Sequence, residues 1–308
     1  MRAVSAFLIA LAALSVLPKN AQAQLFVTQA VGSGSVGIVT QYSTHTRQSP
    51  ITPNPLVTGL SNPLGLALTS DGKSLFVSNN KTGVVGKYNV SDGSPDPAFE
   101  SLTKLKGVTG LAVSTDGKTL YVASFGTVSL SGPGTGTVGS YDAALGAKGT
   151  TNNPTFLPNL PGPTGLAYQA NVLYVALCGN MLGQTGFITA YDATEGGAFN
   201  PNPLITGLSQ PGGIALSGNE LYVVNEGNGT VTKYKITGSS TGFSVTESSP
   251  APFISNLNAP SGIAITGNSL FITLTLGQVV VEYDAKSGGQ NDAAFETGLL
   301  GPAGIVVK

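Results

Sequence analysis

The chain closes on Gly301-Pro302-Ala303-Gly304-Ile305-Val306-Val307-Lys308, "GPAGIVVK", which reads as the opening of a unit rather than its end. "LNAPSGIAIT" (Leu257 to Thr266) and "LPGPTGLAY" (Leu160 to Tyr168) begin alike and then run on through a whole further unit. The shared element is L-x-x-x-x-G-[LI], found at Leu60/Gly65, Leu105/Gly110, Leu160/Gly165, Leu208/Gly213, Leu257/Gly262 and Leu299/Gly304. Successive glycines lie 45, 55, 48, 49 and 42 residues apart. The residue two before the Gly is Pro in five copies and Val108 in the sixth. A fixed period of ~20–50 residues is the mark of a repeat architecture.

Each unit reads as four short strands. "GLALTS" (Gly65 to Ser70) is apolar at nearly every position, as a strand covered on both faces should be. Asp71-Gly72 then forms a tight hairpin, because Gly tolerates positive φ and Asp hydrogen-bonds within the turn. Asp116-Gly117 repeats the turn, with Gly218-Asn219 and Gly267-Asn268 as variants. Second strands follow as "LFVS", "LYVA", "LYVA", "LYVV" and "LFIT", then third strands ending at Tyr88, Tyr141, Tyr191, Tyr234 and Tyr283. Fourth strands carry a bulky apolar residue before the closing Leu: "FLPNL", "LITGL", "FISNL" and "FETGL". No segment after Gln24 keeps a helical apolar period. Short strands at a fixed period predict radial repetition, an all-β, six-bladed β-propeller of four-stranded antiparallel blades.

The ending now has a reason. "LFVTQ" (Leu25 to Gln29) is a second strand, "GIVTQY" a third and "LVTGL" a fourth, so the N-terminal unit lacks its innermost strand. Residues 304–308 supply it from the other terminus, closing the ring and removing an exposed sheet edge.

Before that first strand stand Met1-Arg2, an apolar run from Ala3 to Leu17, and Ala21-Gln22-Ala23. A positive start, a short apolar core and an A-x-A site read as a secretory signal peptide, residues 1–23, cleaved after Ala23. The domain would then be residues 24–308, secreted or periplasmic, with no membrane span after cleavage. Charged residues make up 9% of the chain; without Arg2 and Lys19, 12 basic residues face 15 acidic ones with no basic cluster, which argues against nucleic acid. Cys178 is the single cysteine, so no internal disulfide contributes.

"SDGKSLFVSNN" and "TDGKTLYVAS", with the recurring P-x-G-[LI]-A and "YDA", resemble the NHL and gluconolactonase-like six-bladed propeller superfamily, and also the bacterial surface propellers with YVTN-type repeats. The resemblance covers residues 24–308 and implies the fold. In gluconolactonase-like enzymes it further implies a divalent ion near the channel mouth, held by Glu, Asn and Asp, two of them just before a repeat Gly. Here the residues before the repeat Gly are Leu64, Thr109, Thr164, Gly212, Ser261 and Ala303, a poor set for a hard cation. No metal, cofactor or catalytic residue is assigned on the sequence.

The polar candidates for ligand binding on the channel face are Asn79, Thr109, Thr164, Asn225, Glu226 and Ser261. Glu226 is the one carboxylate placed there, and a two-carboxylate mechanism would need a partner. Asp142, Asp192 and Asp284 follow the strand-ending Tyr and read as turn caps. His45, the only histidine, falls after a third strand on the far face, and Cys178 reads as a small buried hydrophobe at a strand end. "GSGSVG" and "GPGTGTVG" fit G-x-G-x-x-G but lead into strands, not into the helix a dinucleotide site needs.

These features favour an exported, non-catalytic binding or scaffold propeller whose channel face takes a small molecule, glycan or protein. The alternatives are a metal-assisted lactone or ester hydrolase of the gluconolactonase-like type, and an extracellular matrix or surface component.

Overall fold

The computed structural model describes residues 23–31, 36–45, 50–51, 54–126, 134–179, 185–199, 202–239, 242–248 and 251–308. Six antiparallel sheets stand around one axis. Blade one joins β1 (Gln24–Val31), β2 (Val36–Ser43) and β3 (Val57–Leu60) to β23 (Pro302–Val307) in the order β23-β1-β2-β3. The expected closure is therefore present: Leu25, Phe26 and Val27 pair with Val307, Val306 and Ile305.

Blade two holds β4 (Pro63–Leu68), β5 (Ser74–Asn79) and β6 (Val84–Asn89). Its outermost segment makes only the isolated bridges Val85–Leu102 and Tyr88–Pro95, so this blade is a three-stranded sheet with two added rungs. Blade three holds β7 (Val108–Val113), β8 (Thr119–Ser124), β9 (Gly136–Asp142) and β10 (Asn153–Leu160). Blade four holds β11 (Pro163–Gln169), β12 (Val172–Leu177), β13 (Gly186–Asp192) and β14 (Ile205–Leu208). Blade five holds β15 (Pro211–Ser217), β16 (Glu220–Asn225), β17 (Thr230–Ser239) and β18 (Gly242–Glu247), and blade six β19 (Pro260–Thr266), β20 (Ser269–Leu274), β21 (Val279–Asp284) and β22 (Gln290–Glu296).

Blade five departs from expectation. "FISNL" (Phe253 to Leu257) is not its fourth strand and makes only the bridge Val231–Ile254. β17 instead runs past Tyr234 into a hairpin with β18, pairing Ile236 with Val245 and Gly238 with Phe243. "GFSVTE" alternates apolar and polar residues, which suits an edge strand with one face covered.

The apolar core is divided into six clusters, each at the seam between neighbouring blades. Phe76 and Val85 of blade two meet Val108, Leu111 and Leu120 of blade three, for example. Second strands are buried along almost their whole length because both faces meet a seam. The turns match their chemistry: Gly72 and Gly117 sit at φ +65° and +72°, and Asp71 and Asp116 accept from the N–H groups of Lys73 and Lys118 at 3.0 and 3.1 Å.

The repeat Gly has a packing reason. A Cβ on Gly65, Gly110, Gly165, Gly213, Gly262 or Gly304 would overlap the backbone of the next blade, at the carbonyl oxygen of Thr109, Thr164, Gly212, Ser261, Ala303 and Leu64 in turn. Six blades approach this closely only where no side chain intervenes. Gly110→Ala is expected to destabilise the fold by ~1–3 kcal/mol through overpacking against rigid backbone. Gly197→Ala, with open space around it, should change little. Urea unfolding of the two variants compares them, and equal midpoints would refute this account of the repeat Gly.

Candidate functional site

The residue after each second strand sits at one end of the ring, and its N–H is held by a carbonyl just before the innermost strand. Phe125 donates to Gly107 O at 2.8 Å, Cys178 to Gly162 O at 3.0 Å, Glu226 to Gln210 O at 3.1 Å and Thr275 to Ala259 O at 2.9 Å. Asn80 joins them, bonded to Asn62 O at 3.1 Å, and in blade one Ala30, still within β1, bonds to Gly301 O at 3.4 Å. Asn80 and Thr275 turn sideways and tie the next blade, through Val108 O at 2.9 Å and Pro302 O at 2.8 Å. Phe125 and Glu226 instead face the central channel.

That channel encloses about 320 Å³ and is walled by the residue before each repeat Gly, the Gly itself and the apolar residue after it. Thr109, Thr164, Glu226 and Ser261 therefore line one cavity. Asn79 and Asn225 are not among its lining residues; both are buried at strand ends. Asn79 Oδ1 accepts from Ser61 N–H at 2.9 Å. Asn225 Nδ2 donates to Thr230 and Thr232 hydroxyls at 3.3 and 3.2 Å, and its Oδ1 is buried without a partner.

Most of the hydroxyls are occupied in joining blades. In blades one, two and six a buried second-strand hydroxyl bridges the seam. Thr28, Ser78 and Thr273 each accept from the repeat Gly N–H at 2.7 Å and donate to the next blade, to Leu64 O, Thr109 O and Ala303 O at 3.3, 2.8 and 2.7 Å. In blades three and four the second strand carries Ala123 and Ala176 at that position, and the innermost strand supplies the hydroxyl. Thr109 donates to Pro163 O at 3.0 Å and Thr164 to Pro211 O at 2.7 Å. Blade five has Val224 and Gly212, and so neither hydroxyl. There the Glu226 carboxyl lies over Gly212, where a Cβ would collide with it, and accepts a hydrogen bond from Ser261 of blade six.

Glu226 is exposed as a residue because it opens on the channel's water, yet its carboxyl is walled by the surrounding strands. The wall disfavours the ionised form, the Ser261 hydrogen bond partly offsets that, and the carboxyl is raised from 4.5 to about 7. Among the described residues no lysine, arginine or histidine lines the channel. Beside this site, burial pushes the Cys178 thiol up, with the Glu226 charge adding to the rise, so Cys178 is no activated nucleophile.

The metal that the family resemblance implies does not fit this donor set. One carboxylate and three hydroxyls, each already hydrogen-bonded, fall short of the oxygen cage a hard cation takes, and the orphan amide oxygen of Asn225 lies outside the cavity. Among the described residues no group of three His, Cys, Asp or Glu side chains comes together.

The other sequence readings find their places. Asp142, Asp192 and Asp284 cap turns, each accepting two backbone N–H bonds of 2.7–3.0 Å. His45 is exposed beside Thr44, whose hydroxyl meets its Nδ1 at 3.2 Å. Gly37 lies in β2 and Gly136 opens β9, while Gly32 and Gly34 lie outside the described residues. Phe125 and the seat of Cys178 at the channel face were not singled out by sequence. Aligning the units on the residue after the second strand would have found both, since Glu226 holds the same place.

Residues 24–157 match the model of the family described as "Lactonase, 7-bladed beta-propeller", although the ring here has six blades. No curated protein matches the chain. The chain in a nidogen/laminin complex is 15% identical at TM-score 0.68, over 92% of this chain and 98% of that one. A putative 6-phosphogluconolactonase from Bacteroides fragilis is 14% identical at TM-score 0.60, over 95% and 99%. A gluconolactonase from Xanthomonas campestris is 14% identical at TM-score 0.57, over 89% and 86%. At such identities the likeness is one of fold. The chain is thus a six-bladed β-propeller sharing its fold with gluconolactonase-type propellers, and its residues 24–157 match the lactonase propeller family.

Proposed function

We propose that the channel mouth hydrolyses a small uncharged lactone, with Glu226 as general base and no resident metal. The observation that carries this is a carboxyl raised to about 7 as the only ionisable side chain among the described residues lining the channel. A base with a pKa near the working pH is what proton abstraction from water calls for. Water attacks the acyl carbon while Glu226 takes its proton. The ring C–O bond then breaks, and the departing alkoxide takes that proton back to give the hydroxy acid. Ser261 holds the carboxyl in place. The partial match to the lactonase family and the fold shared with a gluconolactonase support the class of reaction.

The uncharged substrate follows from the walls. A phosphorylated lactone would bring negative charge against Glu226 with no cation among the described residues lining the channel to receive it. The test is hydrolysis by the Gln24–Lys308 protein of glucono-δ-lactone, γ-butyrolactone and 6-phosphogluconolactone, above the spontaneous rate and with and without EDTA. We expect turnover of a neutral lactone that EDTA leaves unchanged, with the phosphorylated one at least about tenfold slower. Loss of activity in EDTA would sink the metal-free mechanism. Absence of turnover for both neutral lactones would sink the enzyme reading.

A second reading, binding without turnover, has its own observation. The Thr109 and Thr164 hydroxyls are spent on backbone carbonyls, so neither has a proton to offer a developing oxyanion. The channel would then hold a small molecule or the tip of a glycan or protein. Under either reading we propose export with residues 1–23 removed, on the apolar run Ala3 to Leu17 and the Ala21-Gln22-Ala23 site. The intact mass of the exported chain should correspond to one starting at Gln24, and a mass that retains residues 1–23 would contradict the cleavage.

A further inference from the structure

A tyrosine hydroxyl closes two of the seams on the outer side of the second strands. Tyr121 donates to Ala193 O of the next blade at 2.6 Å, and Tyr222 to Ala285 O at 2.8 Å. Both acceptors belong to a "YDA" turn, where the chain leaves the third strand and exposes the Ala carbonyl. Tyr174 holds the same register in blade four. The corresponding residue of blade five is Ile236, which lies inside the β17–β18 hairpin and pairs with Val245. No turn carbonyl is presented there. Tyr174 is buried, burial alone raises its pKa, and among the described residues its hydroxyl has no hydrogen-bond partner.

Tyr174 instead lines a second cavity of about 310 Å³, between blades four and five on the face opposite the channel mouth. Its volume is at the small end for small-molecule sites, ~300–1,000 Å³. Phe243 of β18 stands edge-on to Tyr174 with centroids 6.3 Å apart, and Phe199 tilts against Phe243 at 5.6 Å. Asp192 lies at the rim; its Oδ1 caps the local turn through Thr194 and Glu195, and among the described residues its Oδ2 carries no hydrogen bond. Asn171 on the same rim is engaged by Tyr168 and Thr194.

We propose that this cleft is a binding site for a neutral sugar ring. Two free polar groups of opposite kind flank an aromatic wall: the Tyr174 hydroxyl donates and Asp192 Oδ2 accepts. A pyranose presents that combination, with a C–H face to lie on rings and hydroxyls at its edge that both give and take hydrogen bonds. An anion would be repelled by Asp192, and an organic cation would leave the Tyr174 donor unused. The site is separate from the channel and does not depend on lactone hydrolysis.

The test uses methyl α- and β-glucoside, -galactoside and -mannoside as probes. Saturation-transfer NMR and calorimetry would follow them on the Gln24–Lys308 protein and on Tyr174→Phe, Phe243→Ala and Tyr121→Phe variants. At least one glycoside should bind, with affinity about tenfold weaker in Tyr174→Phe. The melting temperature of Tyr174→Phe should match the parent, because the hydroxyl bonds to none of the described residues, whereas Tyr121→Phe should melt lower. No binding by any of the six glycosides, or binding unchanged by Tyr174→Phe, overturns the proposal. So does tetramethylammonium bound in their place and lost in Phe243→Ala, which would make the cleft a cation cage.

Discussion

Glu226→Gln is expected to lower kcat/KM on a neutral lactone by ~10²–10⁴-fold, the usual contribution of a general base. Gln keeps the shape and can still accept from Ser261, but it cannot take a proton from water. The parent rate should rise with pH and level off above about 7, where the carboxyl is ionised. The residual rate of the variant should lack that step. Stability offers a second readout of the same group. Its folded pKa lies above its ordinary value, so the folded state holds the proton more tightly than the unfolded chain does. The stabilisation is full below pH 4.5 and is lost as pH rises through about 7. In the variant that decline should be shallower. An unchanged pH–rate profile in Glu226→Gln would remove Glu226 from the mechanism, whatever happened to the rate.

Ending the chain after Gly301 is expected to abolish the cooperative melt. The deletion takes away β23 and with it the cover over Leu25, Phe26 and Val27, which are fully buried. It also removes the buried side chains of Ala303 and Ile305. Each large apolar side chain contributes ~1.5–3 kcal/mol on burial. Several together approach the ~5–15 kcal/mol by which a whole domain is stable. The seams to blades two and six open as well, since Gly304 abuts Leu64 and Ala303 accepts from Thr273. Adding the synthetic peptide Gly301–Lys308 in excess should restore a melt that rises with peptide concentration, as binding to the folded state alone requires. A truncated chain that melts cooperatively near the parent temperature would show that closure is dispensable.

How far the site could be read in advance depends on which contacts define it. Thr109, Thr164, Glu226 and Ser261 were legible as channel-facing because their places relative to the repeat Gly or the second strand recur in every unit. Asn79 and Asn225 shared that logic and yet lie outside the cavity. A strand-end amide so close to the chain reversal finds loop partners first, as Asn79 does with Ser61. Blade five was misread at its outer edge because "FISNL" carries the same closing pattern as true fourth strands. "GFSVTE" was closer in sequence to β17 and formed the hairpin. Local pairing prevailed over the repeat.

The sequence by itself determined the number of blades, the order of their three inner strands, the turn chemistry and the closure by the last strand. Each of these rests on a pattern within one unit, repeated until its period is unmistakable. The tertiary structure decided what happens between units. It left the Val224–Gly212 seam without a hydroxyl and set the Glu226 carboxyl there against Ser261, and it left Tyr174 without the carbonyl its counterparts use. Such pairings join residues of neighbouring blades whose spacing varies with every loop. No in-unit pattern encodes them, and they exist only once the seams have closed.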